Sequence, residues 1–138
     1  MGIKLTSIKR NLAAEREGEW QEIFELPGVS LKVRSIHYGP FQTALGMVQK
    51  KLQRQYGDKV PPDILFAENG KLYHEHLLLD WRGFDEPYTP ERALEVLTDD
   101  GFRELHEHIR RASSLVGAAE VDFLEDATKN SEAPSATS

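Results

Sequence analysis

The sequence predicts an α+β fold that is mostly α, in which an N-terminal β-hairpin packs on a bundle of about five helices. Residues 19–36 contain two runs rich in β-forming residues on either side of Pro27–Gly28, which indicates a hairpin. Beyond them, apolar residues recur at three- and four-residue steps, the spacing of amphipathic helices. At 138 residues the chain can bury a core of its own. We therefore predict a single domain over residues 1–128.

The N-terminal part is predicted to be an arm followed by the hairpin. Residues 7–15 are expected to form an arm or a short helix. In the second hairpin run, Val29, Leu31 and Val33 alternate with polar residues, as in a half-buried strand. Because a lone hairpin is marginally stable in water, its apolar face must pack on helices.

The rest of the chain is predicted to be helical up to a C-terminal tail. The five helices are placed at about 41–56, 63–80, 90–97, 99–116 and 118–128. Asn69–Gly70 is a turn signal inside the second of them, so the pattern leaves open whether residues 63–80 form one helix or two. Residues 129–138 have no aliphatic side chain larger than alanine and are expected to be disordered.

An aromatic-rich turn, which we call the elbow (residues 77–92), is expected to join the second and third helices. Gly83 and Pro87 oppose a continuous helix, whereas Thr89–Pro90 is a good helix start. Three aromatic residues fall close together here: Trp81, Phe84 and Tyr88. Two interpretations remain open. The rings either complete the core between two helices or form a docking surface for a partner.

The charge distribution differs between the two halves of the chain. Residues 1–60 carry ten basic and six acidic side chains, or +4, and residues 61–138 carry seven and seventeen, or −10. The acidic half argues against nucleic-acid binding there, and the basic cluster from Lys50 to Lys59 is interpreted as a solvated helix face. The sequence also has no apolar run of about 18 residues, the length that crosses a bilayer. We therefore expect neither nucleic acid nor membrane as a partner.

No residue pattern points to catalysis or to a cofactor. Cysteine is absent, and neither a nucleophile elbow nor a phosphate-binding loop occurs. Two His-Glu-His triplets, at 74–76 and 106–108, place their histidines two residues apart. On a helix this spacing points the two rings to nearly opposite sides, unlike the four-residue spacing of zinc helices. We expect no enzyme activity, no cofactor and no metal site.

The order of these segments resembles the tail assembly chaperones of long-tailed bacteriophages of the siphophage type. The resemblance covers roughly residues 7–130. Its most specific part is 78–97, where a leucine-rich segment ends in Asp-Trp-Arg-Gly and is followed by an acidic turn and the helix start Thr-Pro-Glu. The segment Glu-Asp-Ala-Thr-Lys-Asn at residues 125–130 also resembles the family, whereas the hairpin and the basic helix resemble it only in their residue pattern.

The resemblance implies a role in virion assembly. Such proteins bind the tape measure protein in the host cell cytoplasm, keep it soluble, help to recruit tail tube subunits, and are absent from the mature virion. The family often makes a longer form of itself by ribosomal frameshifting, and such a form would be a further partner. An alternative is a structural head–tail connector or tail-completion protein of the virion. The residues proposed for partner contact are Trp20, Phe24, Phe84 and Tyr88.

Overall fold

The protein, described here from a computed structural model over residues 2–124, is α+β and mostly α, as the sequence predicts. The described residues fall into two compact units. The larger is Leu12–Gly117, and the smaller combines residues 2–11 with residues 118–124. The expected single domain over residues 1–128 stays a prediction beside this division. The division follows from a pairing between the two ends of the described chain, which local patterns cannot reveal.

The smaller unit is a short two-stranded antiparallel sheet. Strand β1 (Gly2–Ile3) pairs with strand β5 (Phe123–Leu124), with Ile3 opposite Phe123. A 3₁₀-helix, Leu5–Ile8, follows β1. The segment 7–15, predicted to be an arm or a short helix, begins at the end of this 3₁₀-helix and is extended at Lys9. Its α-helix starts only at Leu12.

The predicted helix at 118–128 is wrong over its described part, because Phe123–Leu124 is extended and pairs with β1. Its apolar residues Val121, Phe123 and Leu124 are too few for their spacing to decide between helix and strand. The remainder of that helix and the predicted disordered tail at 129–138 lie outside the described residues.

The larger unit packs five α-helices around a three-stranded antiparallel sheet. In chain order its α-helices and strands are α1 (Leu12–Glu17), β2 (Glu19–Glu22), β3 (Ser30–Val33), α2 (Gly39–Tyr56), α3 (Pro62–Leu72), β4 (Leu78–Arg82), α4 (Pro90–Leu97) and α5 (Arg103–Leu115). The sheet order is β2–β3–β4. The predicted hairpin is confirmed, since β2 and β3 pair in register with Gln21 opposite Leu31.

The predicted helix at 63–80 is wrong in its last part. Helix α3 ends at Leu72, a π-helical turn covers Tyr73–Leu77, and the chain then enters β4, which pairs with β3. The apolar run at residues 77–79 fits a buried strand as well as a buried helix, so local periodicity could not distinguish them. The elbow consequently joins a strand to a helix rather than two helices.

The other predicted helices agree with the structure to within a few residues. Helix α2 starts two residues before the expected position 41, with Pro40 in its first turn. The expected start of α4 is confirmed, because the Thr89 hydroxyl accepts a hydrogen bond from the Arg92 backbone N–H. The helix expected at 99–116 divides into a 3₁₀ turn, Asp100–Phe102, and α5, with the Asp99 carboxylate capping the 3₁₀ turn.

The core of the larger unit lies between the inner face of the sheet and the helices. Leu31 and Val33 of β3 and Leu78 of β4 are fully or almost fully buried there. They pack with Leu97 and with Ile109 from the helices. The predicted alternation in residues 29–33 is confirmed for its apolar side and for Lys32, which stays partly exposed, whereas Ser30 on the polar side is buried. Within residues 2–124, none of the helices has both the length and the apolar character required to span a membrane.

Candidate docking surface at the elbow

The elbow begins where β4 passes beside the hairpin turn. Gly83 has a φ of +99°, a region that side chains rarely adopt. A Cβ atom at this position would also overlap the backbone carbonyl of Gly28. The chain therefore turns away from the sheet at Gly83, and it returns to helical structure at Thr89–Pro90.

Trp81 anchors the elbow to the core. Its side chain is only 7% exposed, and its indole N–H donates a hydrogen bond of 2.9 Å to the Glu86 carbonyl. Phe84 and Tyr88 meet the Trp81 ring edge to face, at centroid distances of 5.7 and 5.1 Å. This perpendicular arrangement is a favourable one for aromatic rings. Trp81 therefore completes the core, as the first interpretation of the elbow has it, while Phe84 stays partly exposed and the docking interpretation stays a prediction.

An apolar depression, which we call the elbow groove, opens beside Trp81. It has a volume of about 300 Å³. Its apolar lining comes from the hairpin turn, the elbow, α4, the 3₁₀ turn and α5: Leu26, Trp81, Phe84, Val96, Phe102 and Leu105. Phe84 and Phe102 remain 38% and 39% exposed. Apolar side chains that stay open to solvent within a concave surface are typical of a binding site for another protein.

Acidic side chains dominate the rim of the elbow groove. Asp85, Glu86 and Glu104 line it, against the single cation Arg92. The Arg92 guanidinium already donates to Glu86 Oε1 at 3.0 Å and to Glu95 Oε1 at 3.3 Å. Over residues 84–104 there are seven acidic and two basic residues, a net charge of −5. A cationic ligand is therefore favoured over an anionic one.

Of the proposed contact residues in the elbow, only Phe84 lines this groove. Tyr88 is half-buried and lines a wider opening of about 490 Å³ on which Leu79, Pro90 and Leu94 also lie. Burial, followed by the charges of Asp80 and Glu91, raises the pKa of Tyr88 above its ordinary value. Phe84 and Tyr88 thus share Trp81 as a support but line separate openings.

The two proposed hairpin residues lie apart from the groove lining. Trp20 is opposite Lys32 on the outer face of the sheet, where the Arg82 guanidinium lies 4.1 Å from its ring centroid. Phe24 is in the hairpin turn and is 87% exposed. The structure therefore does not unite the four proposed residues in one surface, although Leu26, close to Phe24 in sequence, does line the elbow groove.

Sequence reasoning missed four apolar groove residues: Leu26, Val96, Phe102 and Leu105. Phe102 and Leu105 follow the three-residue spacing of a buried helical stripe. The available signal was Asp99, a capping residue three positions before Phe102, which places Phe102 at the start of the helix rather than in its middle. Leu26 precedes Pro27–Gly28, and no sequence signal brings that turn to the elbow.

One histidine of each triplet lies within hydrogen-bond distance of a backbone carbonyl. The buried His106 ring stacks on Phe66 at a centroid distance of 3.9 Å, and its Nε2–H donates a hydrogen bond of 2.7 Å to the Leu97 carbonyl. His74 Nε2 lies 2.8 Å from the Pro90 carbonyl. Throughout the described part of the chain, His, Asp and Glu side chains form no group of three placed to hold a metal ion.

The stability of the protein should fall in mild acid because of His106. Burial, its largest influence, lowers the pKa of His106, and the hydrogen bond to Leu97 opposes that effect only in part. In the unfolded chain the pKa is about 6.5, so below that pH the unfolded state binds the proton more readily. The free energy of unfolding should therefore decrease as the pH falls below about 6.5.

Thermal melting at a series of pH values tests this expectation. His106→Gln should flatten the decline in melting temperature below about pH 6.5. His37→Gln, at an exposed position, is the matched variant with which the slope of His106→Gln is compared. An unchanged slope in His106→Gln would assign the acid sensitivity to other groups.

A comparison with protein families gives one finding for this chain. A family model described as YdaY prophage protein matches residues 36–130, which is 95 of the 138 positions. The matched region contains α2, α3, β4, the elbow, α4 and α5. Comparisons with curated proteins and with solved structures give no match.

Proposed function

Since the chain belongs to the YdaY prophage protein family and is therefore phage-derived, we propose that it is a tail assembly chaperone. In this role it binds the tape measure protein in the host cell cytoplasm, keeps it soluble, and helps to recruit tail tube subunits. It acts by binding, without catalytic turnover, and is absent from the finished particle.

The elbow groove is the observation that carries this proposal. A chaperone for a long helical protein needs a concave apolar surface that can receive the apolar face of a partner helix. The groove has this character, with Phe84 and Phe102 partly exposed around the buried Trp81. The most specific part of the sequence resemblance, residues 78–97, also supplies β4, the elbow and α4, which form much of the groove.

Binding would combine a rigid apolar floor with a charged rim. Trp81 is fixed by its hydrogen bond to Glu86 and by its place opposite Leu31 in the sheet. Phe84 rests on it, so little conformational entropy is lost when a partner covers these rings. Aromatic side chains at the centre of an interface commonly carry most of the binding energy. The acidic rim would then select helices with lysine or arginine beside their apolar face.

Co-expression with the tape measure protein tests the proposal. The tape measure protein should be soluble with the wild-type chain and insoluble without it. The double variant Phe84→Asp, Phe102→Asp should lose most of the solubilisation, because two charges would stand on the apolar floor. Met47→Asp is the matched control, since this α2 side chain is 66% exposed and does not line the groove.

A variant at Phe24 tests whether the hairpin turn also contacts the tape measure protein. Phe24→Asp should leave solubilisation unchanged if the elbow groove alone binds the partner. A loss with Phe24→Asp, together with no effect of the groove variant, would move the contact to the hairpin turn. If the wild-type chain neither binds nor solubilises the tape measure protein, the chaperone assignment is wrong. Co-sedimentation of the chain with purified particles would instead favour the alternative of a virion connector or tail-completion protein.

A further inference from the structure

The smaller unit exposes the large apolar side chains of its described part. They are each 45–78% exposed: Ile3, Leu5, Ile8, Val121, Phe123 and Leu124. Its sheet has two strands of two residues each, far less than the three strands or the helix packing that give a sheet independent stability. Such a surface is typical of a segment that packs against another molecule.

Residues 2–11, which we call the N-terminal arm, combine these apolar side chains with positive charge. The arm contains Lys4, Lys9 and Arg10 and no acidic residue, a net charge of +3. Lys4 and Lys9 are exposed. The opposite strand segment brings Glu120 and Asp122, so within residues 2–11 and 118–124 the basic side chains lie in the arm.

The elbow groove has the complementary properties. Its floor is apolar, its lining carries three carboxylates against one guanidinium, and that guanidinium is already paired with Glu86 and Glu95. We propose that the N-terminal arm of one copy of this chain packs into the elbow groove of a second copy. Leu5 and Ile8 fill the groove, and Lys4 and Lys9 approach its acidic rim.

The local structure of the arm suits this arrangement. Leu5–Ile8 is a 3₁₀-helix, in which side chains three residues apart lie on the same side. Leu5, at 78% exposed, and Ile8 therefore form one apolar edge. The contact joins two different surfaces, so it produces either a closed pair with reciprocal arms or a head-to-tail chain.

This inference is independent of the chaperone role, although the two are compatible. Under the proposed function, a neighbouring copy would cover the groove until a partner helix displaces its arm. Self-association of the purified chain requires no tape measure protein. A failure of one idea can therefore be distinguished from a failure of the other.

Analytical ultracentrifugation of the full chain over a concentration series is the first test. The wild type should rise above the monomer mass of 15.7 kDa, and added sodium chloride should weaken the association because salt screens the charged contacts. The arm variant Leu5→Asp, Ile8→Asp and the groove variant Phe84→Asp, Phe102→Asp should each remain monomeric. Met47→Asp should associate as the wild type does.

Mixing the two monomeric variants is the decisive step. The arm variant keeps an intact groove and the groove variant keeps an intact arm, so an equimolar mixture should regain a dimer. A contact between two grooves or between two arms would not be restored in this way. The inference is overturned if the wild type stays monomeric at every concentration or if the mixture stays monomeric.

A charge exchange between the arm and the groove rim tests the same contact without changing apolar side chains, in case the apolar variants do not fold. Lys4→Glu, Lys9→Glu changes only exposed side chains and should weaken the association, and adding Asp85→Lys, Glu104→Lys in the same chain should restore it. If the second pair of changes weakens the association further, the proposed pairing is wrong.

Discussion

Replacing Trp81 with alanine should lower the free energy of unfolding by about 3–5 kcal/mol, the usual cost of deleting a large buried aromatic side chain. Trp81 is 7% exposed and lies opposite Leu31 in the sheet. Its loss would also remove the ring on which Phe84 and Tyr88 pack and leave the Glu86 carbonyl without the indole N–H. For a unit of this size the melting temperature should fall by roughly 10 °C or more.

Trp20→Ala is the control, because it shows whether the loss of stability depends on the buried position of Trp81 or on the loss of any tryptophan. Trp20 is half-buried on the outer face of the same sheet, and the Arg82 guanidinium lies over its ring, an interaction worth about 0.5–1 kcal/mol at exposed sites. Trp81→Phe should recover part of the loss, because it restores the packing without the hydrogen bond. Equal destabilisation by Trp20→Ala and Trp81→Ala would contradict the role assigned to Trp81.

The features that were predicted well depend on neighbouring residues alone. The alternation at residues 29–33 identified the inward face of β3, and Thr89–Pro90 identified the start of α4. Both signals act within a few residues through backbone geometry and side-chain capping. The burial of Trp81 has a similarly local cause, since it follows a leucine run and precedes a chain reversal, and its side chain is 7% exposed.

The features that were missed depend on long-range pairing. Leu78–Arg82 is a strand only because β3 offers it an edge, and Phe123–Leu124 is a strand only because it meets Gly2–Ile3. Neither partner can be identified from the local spacing of apolar residues. The elbow groove also depends on long-range contacts, because residues as far apart in the sequence as Leu26 and Leu105 line it. Phe84 could be proposed from its turn, but its neighbours in the groove could not.

Gly70 resembles a turn residue in the sequence but permits close packing of two helices in the structure. With Asn69 it forms a turn signal, yet it lies inside α3 and is buried. Its missing side chain allows α3 to approach the end of α4, where a Cβ atom on Gly70 would overlap the Leu97 carbonyl oxygen and lie 2.7 Å from the carbonyl carbon. The glycine is therefore a packing requirement rather than a turn, a possibility that sequence alone does not distinguish.

Gly70→Ala should destabilise the protein by at least about 2 kcal/mol, although alanine is the better helix former by about 1 kcal/mol. The overlap is with backbone atoms, which cannot rotate away as a flexible side chain can, so α3 and α4 would have to separate. That movement would also disturb His106, whose Nε2–H donates to the same Leu97 carbonyl. Thermal or urea unfolding of the purified variant measures the loss.

Gly46→Ala in α2 is the matched control, with an expected effect of opposite sign. A Cβ atom at Gly46 meets nothing within 4 Å, so this substitution should stabilise the protein by about 0.5–1 kcal/mol through helix propensity alone. The two changes add the same methyl group to two helices, and only the surroundings differ. If Gly70→Ala is as stable as Gly46→Ala, then α3 and α4 do not pack as closely as the structure shows, and the position of His106 must be revised with them.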